Sequence, residues 1–298
     1  MILTMGEVLI DFIGKGDLSG CNGFEKCFGG APANVARGLA KLGSEVGMLG
    51  MVSDDGFGKF LYDTLKESAV DVRGIVVSKK RKTRLAFVSV KGDGERDFAF
   101  YSEKCADEGF GPEDIDAGYV GGARVLHFGS IGMISETGER ATMKAVGIVK
   151  KAGGRISYDP NLRPMLWDSE DEMLDTARKG LGVADILKVD GDELKAITGE
   201  DGLEQGVEKL PKMELVCVTL GRGGCYYYHK GELERIDACP VKAADSTGAG
   251  DAFMAGLLFG ITNDYGVERS VGFANAAGAV STLKRFPSLK TVNEFMDR

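Results

Sequence analysis

Apolar positions along the chain switch repeatedly between short unbroken runs and helical spacing. The runs, at residues 46–52, 124–128, 156–158, 186–189 and 216–220, are bounded by Gly or Asp, and each has a stretch of 3.6-residue period nearby. That spacing predicts helices over 33–42, 57–68, 137–151, 171–181, 192–198, 249–259 and 267–283. Strands that are continuously apolar rather than alternating are buried on both faces. The pattern therefore predicts an α/β fold: a mostly parallel sheet between helical layers, with ligands beyond the carboxyl ends of its strands.

Two stretches break the alternation. Residues 83–101, TRLAFVSVKGDGERDFAFY, hold two β-rich runs around a KGDGE turn and read as a hairpin. Residues 9–28 are strand-and-turn in character, with Gly14, Gly16, Gly20 and Gly23 and no helical period. Together they can build a small separate sheet inserted twice into an α/β core of residues 1–8, 29–82 and 102–298. Such a sheet suits a lid that excludes water from a site on the core; an ordinary edge hairpin fits the pattern equally well.

Composition narrows the classes. Hydrophobic residues are 43% and charged residues 28% of 298, the shares of a folded globular chain. A net charge of −8 disfavours a broad phosphate-neutralising surface, so no nucleic-acid partner is expected. No apolar run approaches the roughly 18 residues of a membrane helix, and the N-terminal ILTM lacks a basic flank, so no membrane association is expected. The six cysteines form no CxxC pair and only two histidines occur, His127 and His229, which disfavours zinc chemistry and Cys/His catalysis. Reduced thiols in a cytoplasmic protein are the expectation. Glycine, at 44 residues, is about twice its usual share, which points to tight turns or to backbone lying close to a ligand.

The strongest local signal is DSTGAGDAFMAGLLFG at 245–260. Gly248, Ala249 and Gly250 precede an acid and a helix of small and apolar residues. Without bulky side chains, backbone N–H groups can converge on an anion at a helix N-terminus, and phosphate is the natural guest. Asp251 in that first turn suits a base that orients and deprotonates an attacking hydroxyl. For the glycines alone, close helix packing is as good an explanation. No GxxxxGK[ST] occurs, and no GxGxxG follows the first strand, which disfavours P-loop and standard dinucleotide enzymes. A second signal is GGAPANVARGLAKLG at 29–43, where Gly29 and Gly30 allow a strained turn, Pro32 suits a helix start, and Asn34 could hold a polyhydroxyl ligand or cap the helix.

GGAPANVA at 29–36 and DSTGAGD at 245–251 resemble the two signatures of the ribokinase/pfkB carbohydrate kinases. YDPNLRPMLW at 158–167, ILKVDGDEL at 186–194, VTLGRGG at 218–224 and FANAAGAVST at 273–282 are similar to segments of fructokinases, so the resemblance spans essentially the whole chain. It implies a ribokinase-like three-layer core with a small β-sheet lid, and ATP-dependent, magnesium-assisted transfer of a phosphoryl group to a sugar hydroxyl. Asp251 would be the base and the amides of Gly248, Ala249 and Gly250 the anion hole. Asp11, Gly30 and Asn34 would hold sugar hydroxyls, with Phe98, Phe100 and Tyr101 of the lid closing over them.

Further roles come from the same resemblance. Arg163 would reach the sugar or the transferred group as a fixed charge that grips oxygens in pairs. Glu193 matches the acid of the family's Asn-x-x-Glu motif, which organises magnesium, usually through water; Asp190 stands where the Asn would be. Lys188, Thr219, Gly221 and Gly224 would border the nucleotide phosphates and ribose, and Asn275 the adenine. Asp245 and Thr247 correspond to a monovalent-cation site of many members. The later loop here reads LKRFPSL at 283–289 and lacks the usual glycine, so a potassium requirement stays open. Fructose, giving fructose 6-phosphate, is the expected substrate. Related kinases acting on 2-keto-3-deoxygluconate, ribose or nucleosides are the alternatives, and a non-catalytic sugar or nucleotide sensor is the remote one. Paired lids would make a homodimer.

Overall fold

The computed structural model describes residues 1–90, 96–241, 247–283 and 287–296. In chain order these form β1 (Ile2–Met5), β2 (Leu9–Lys15), β3 (Glu25–Gly29), α1 (Ala31–Leu42), β4 (Val46–Ser53), α2 (Gly56–Glu67), β5 (Asp71–Ser78), β6 (Leu85–Val90) and β7 (Arg96–Tyr101). There follow α3 (Ala117–Gly121), β8 (Val125–Gly129), α4 (Glu136–Lys151), β9 (Arg155–Asp159), α5 (Glu170–Leu181), β10 (Ile186–Asp190), α6 (Gly191–Thr198) and α7 (Leu203–Lys209). The last elements are β11 (Leu215–Thr219), β12 (Cys225–His229), β13 (Glu232–Ile236), α8 (Ala249–Thr262), α9 (Val267–Ser281) and α10 (Leu289–Met296).

Nine strands make the larger sheet, in the order β13-β12-β11-β10-β9-β8-β1-β4-β5. Pairing is parallel from β5 to β11, and β12 and β13 add an antiparallel edge. Helices cover both faces: α1, α2, α8 and α9 pack on one hydrophobic cluster, and α3 to α7 on the other. The expected α/β layering is thus what the chain forms. β4 is buried at every position, as its uninterrupted apolar run requires.

Local chemistry fixes the helix ends. Gly30 caps α1 with φ 103°, Pro32 lies in its first turn, and Gly43 ends it in the left-handed region at φ 94°. Asp55 caps α2, its Oδ1 accepting the N–H groups of Phe57 and Gly58. α8 is apolar on nearly every side and buried from residue 252 to 260, because it lies between α1 and α9. A Cβ at Gly256 would stand 2.9 Å from the Ala274 Cα, so glycine there is what lets α9 approach.

The two stretches that broke the alternation form a second sheet, in the order β3-β2-β6-β7. β2 and β6 run parallel and the other pairs antiparallel. The KGDGE turn lies outside the described residues. The chain crosses between the sheets at 6–9, 29–31, 78–85 and 101–107. Asp55 bonds Thr83 by N–H and hydroxyl there, and Arg84 makes a buried ion pair with Asp107 at 2.7 Å.

Several boundaries differ from the sequence expectation. The first helix begins at Ala31 rather than 33, because Gly30 takes the cap position. The last long helix stops at Ser281 rather than 283. β5, β12 and β13 escape apolar-run reading because they lie at or next to the sheet edges and are not buried throughout, Arg73 and Val77 of β5 and Glu232, Glu234 and Arg235 of β13 being exposed.

Candidate active site

Parallel strands deliver Asp159, Asp190 and Thr219 to their carboxyl ends, and α8 begins over the same edge. The first-turn N–H groups of α8 have no intrahelical acceptor and carry the positive end of its dipole. Gly248, at φ 76°, turns the chain into the helix. A Cβ at Gly250 would stand 3.2 Å from the Lys188 Nζ, so the ammonium lies directly beside the start of the helix. Backbone amides, a lysine charge and the Asp251 carboxylate therefore converge at one place.

Asp251 is held by Asn34, whose Nδ2 donates to Oδ2 at 2.9 Å. Asn34 does not cap α1: its own N–H is bonded to the Gly30 carbonyl, one turn into the helix. Burial pushes the Asp251 carboxyl up to about 6, with the Asn34 bond working against it, Asp159 adding to the rise, and Lys188 and Arg163 opposing it. A carboxylate with that affinity for a proton is ionised at neutral pH yet is a better base than an ordinary aspartate.

Beside it lies a small cleft, open to solvent, lined by Asp11, Phe28, Asn34, Thr247, Gly248 and Ala252. Asp11 comes from the smaller sheet, so the cleft lies between the two sheets. A Cβ at Gly29 would collide with the Asp11 carboxylate, and one at Gly30 with the Glu7 carbonyl. The glycine pair is therefore required by close approach as well as by conformation.

Under the start of α8, Lys188 pairs with Asp159, Nζ lying 3.1 Å from Oδ2, and both residues are buried. Burial alone would lower the lysine's affinity for its proton; Asp159 and Glu193 outweigh it, and the net shift is upward. The ammonium stays charged. His127, next to this pair and 3.1 Å from the Ser157 hydroxyl, is driven down to about 4 by burial and is neutral.

Glu193 is engaged at both oxygens. Oε1 accepts the Leu162 N–H at 2.8 Å and Oε2 the Asp190 N–H at 2.9 Å, while Asp190 Oδ1 accepts the Glu193 N–H in return. Among the described residues no three His, Cys, Asp or Glu side chains are grouped to hold a metal. This donor set fits magnesium carried by nucleotide phosphates and touched by protein through water, rather than an all-protein cage.

Arg163 is exposed, its Nη1 donating to the Leu162 carbonyl at 2.8 Å, and its charge reaches Asp251. Thr219 donates to the Val189 carbonyl at 3.4 Å, and Gly221 and Gly224 follow with φ of 53° and 86°. Asn275, on α9, donates to the Asp237 carbonyl at 2.8 Å, just beyond β13. In the smaller sheet, Asp11 and Phe100 both pair with Ala86 and so share a face. Tyr101 does not share it: it is 66% exposed and packs edge-on against Phe87, on the face opposite Asp11. The expectation that Tyr101 closes over the cleft is corrected on this ground, since adjacent strand residues point to opposite faces. The Phe98 side chain and the whole of Asp245 lie outside the described residues.

Two residues at the site had no role in the sequence reading. Asp159 stands in plain view in the DPNLR segment, but its partner Lys188 is 29 positions away on the neighbouring strand. Glu7 is buried next to Gly30 and carried no local signal at all.

Comparison with known proteins matches residues 1–290 to the pfkB family carbohydrate kinases. The chain is 39% identical to fructokinase-1 of Zea mays, covering 99% of this chain and 96% of that one. Among solved structures, the fructokinase of Xylella fastidiosa with bound ATP is 31% identical with a TM-score of 0.89, covering 99% and 98% of the two chains. A double mutant of fructokinase from Vibrio cholerae O395, with fructose, ADP and potassium bound, is 30% identical with a TM-score of 0.88, covering 99% and 97%.

Proposed function

Because the chain belongs to the pfkB family of carbohydrate kinases, we propose that it transfers the γ-phosphoryl group of ATP to D-fructose, giving fructose 6-phosphate. The observation that carries this reading is Asp251: held by Asn34 in the first turn of α8, next to Lys188 and beside a cleft to which Asp11 contributes from the second sheet.

Asp251 accepts the proton of the sugar hydroxyl as the hydroxyl oxygen bonds to the γ-phosphorus, and the bond from that phosphorus to the bridging oxygen of ADP breaks. Gly248, Ala249 and Gly250 direct N–H groups at the charge that develops on the transferred group. Lys188 adds a fixed positive charge that Asp159 keeps in place. Asp11, Gly30 and Asn34 orient the sugar, Phe100 of the lid covers it, and Arg163 reaches the sugar or the transferred group. Thr219, Gly221, Gly224 and Asn275 border the nucleotide. Glu193 and Asp190 would hold magnesium through water, and the ion would offset phosphate charge when it arrives with ATP. Asp245 and Thr247 would hold a monovalent cation if one is used, a reading that the potassium bound to the Vibrio cholerae fructokinase supports.

Residues 9–28 and 83–101 act as a lid, and the core of 1–8, 29–82 and 102–298 carries the chemistry. The aromatic face of the lid, with Phe12, Phe87 and the exposed Tyr101, is the surface through which two copies pair in the cytoplasm.

The test is ADP release with ATP and magnesium against fructose, 2-keto-3-deoxygluconate, ribose, glucose and nucleosides, with and without potassium. Fructose is expected to give the highest kcat/KM. Preference for another acceptor would remove fructose and keep the kinase, and no turnover on any acceptor would overturn the reading.

A further inference from the structure

Glu7 lies where the chain leaves β1 of the larger sheet for β2 of the smaller one. It is 2% exposed. Its Oε1 accepts the N–H of Ala31, the first residue of α1, at 2.9 Å; its Oε2 is buried and has no hydrogen-bond partner among the described residues. No lysine or arginine forms an ion pair with it among the described residues. Arg84, the nearest candidate, is engaged by Asp107 at 2.7 Å and Glu108 at 2.8 Å. Burial pushes the Glu7 carboxyl up to about 7, although its own backbone N–H and that of Ala31 favour its charged form. A half-satisfied buried carboxylate costs stability, so its presence calls for a return elsewhere.

That return is legible in what Glu7 grips. Its side chain holds the first N–H of α1, and its carbonyl fills the space where a Gly30 side chain would stand. One turn along, the Asn34 N–H bonds the Gly30 carbonyl, and the Asn34 amide reaches Asp251. We propose that Glu7 is a positioning residue for phosphoryl transfer: by clamping the first turn of α1 it sets where Asn34 places its amide, and through Asn34 it aims the Asp251 carboxylate. This rests on the reading of Asp251 as the base.

Among the described residues, the charged and polar groups that act on Asp251 are Asn34 from α1, Asp159 at the end of β9, Arg163 from the segment after it, and Lys188 from β10. Only Asn34 rides on the helix that Glu7 holds. The Asn34 bond favours ionised Asp251, so slackening it raises the pH at which the base gains its proton. Loss of the Glu7 clamp therefore moves the acidic limb of the kcat–pH profile upward, an effect that general loosening of the fold does not produce.

The experiment compares kcat–pH profiles, on the sugar of highest turnover, for the wild type, Glu7→Ala, Glu7→Gln, Asn34→Ala and the Glu7→Ala/Asn34→Ala double variant. Glu7→Ala and Asn34→Ala are each expected to move the acidic limb upward by about half to one pH unit and to lower kcat by about tenfold or more. The double variant is expected to go no further than Asn34→Ala alone, because both act along one line. Glu7→Gln, whose amide oxygen still accepts the Ala31 N–H, is expected to restore the wild-type limb. Should Glu7→Ala not fold, Glu7→Asp, one methylene too short to reach Ala31, replaces it. A limb unmoved in the Glu7 variant but moved in Asn34→Ala, or additive losses in the double variant, would overturn the positioning role. A limb unmoved in Asn34→Ala as well would remove the Asp251 reading, and the proposal with it.

Discussion

Asp251 is kept by the fold at a cost, and the cost has a sign. Its carboxyl is raised from 3.8 to about 6, so between those values the folded protein holds a proton that the unfolded chain has released. Stability contributed by the group therefore falls as pH rises through that window and is fully lost above it, by an amount on the order of 3 kcal/mol. Asp251→Asn removes the penalty. In urea unfolding the variant is expected to exceed the wild type clearly at pH 7.5, with the gap narrowing at pH 4.5; a gap independent of pH would count against burial of the ionised group. Lys188 works the other way, because Lys188→Met would leave Asp159 charged and buried without its partner, and a loss of about 3 to 5 kcal/mol is expected in the same assay. Of these residues, Asp251 is legible in the TGAGD segment because glycines, acid and helix start are contiguous. Asn34 is legible only as a residue type, its partner lying 217 positions away. Glu7 was hidden, since nothing in the string GEVLID says that its carboxylate turns inward to another helix.

Elements bring these residues together through a few contacts that periodicity foresees only in part. The long apolar segments 33–42 and 249–259 are helical as expected, because their stripes bury against each other and against α9. The edge strand β13 and its neighbour β12 are harder to read, because β13 exposes Glu232, Glu234 and Arg235 and β12 is only partly buried. Tyr101 shows how parity decides a role: one position separates it from Phe100, and that places it on the other face of the sheet. At the site, α6 depends on reciprocal capping by Asp190 and Glu193. Asp190→Ala is expected to lower stability by about 1 kcal/mol in urea unfolding. It also frees the Glu193 backbone N–H, so a rise in KM for ATP-magnesium larger than that for the sugar is expected. An unchanged KM for both would detach this cap from the nucleotide side.

At the scale of the whole molecule, the cleft belongs to both sheets. Asp11 comes from the smaller sheet, and Asn34 and Asp251 come from helices of the larger layer. Ligand bound between them should restrain one sheet against the other, which excludes water from the transfer. Saturating sugar is expected to slow amide hydrogen exchange in 9–28 and 83–101 more than in β4; unchanged exchange in both segments would refute the lid. The two-sheet organisation is visible in the sequence as a break in helix–strand alternation, whereas the contacts of Glu7, Asp55 and Arg84 where the chain crosses between the sheets need the folded chain to be seen.

The most direct measurement compares Asp251→Asn with the wild type in two readings: sugar affinity by calorimetry, and turnover by ADP release. Sugar binding is expected to persist while kcat falls by about three decades, the scale of losing a positioned general base. Equal turnover in the two proteins would contradict the assignment of Asp251 as the base.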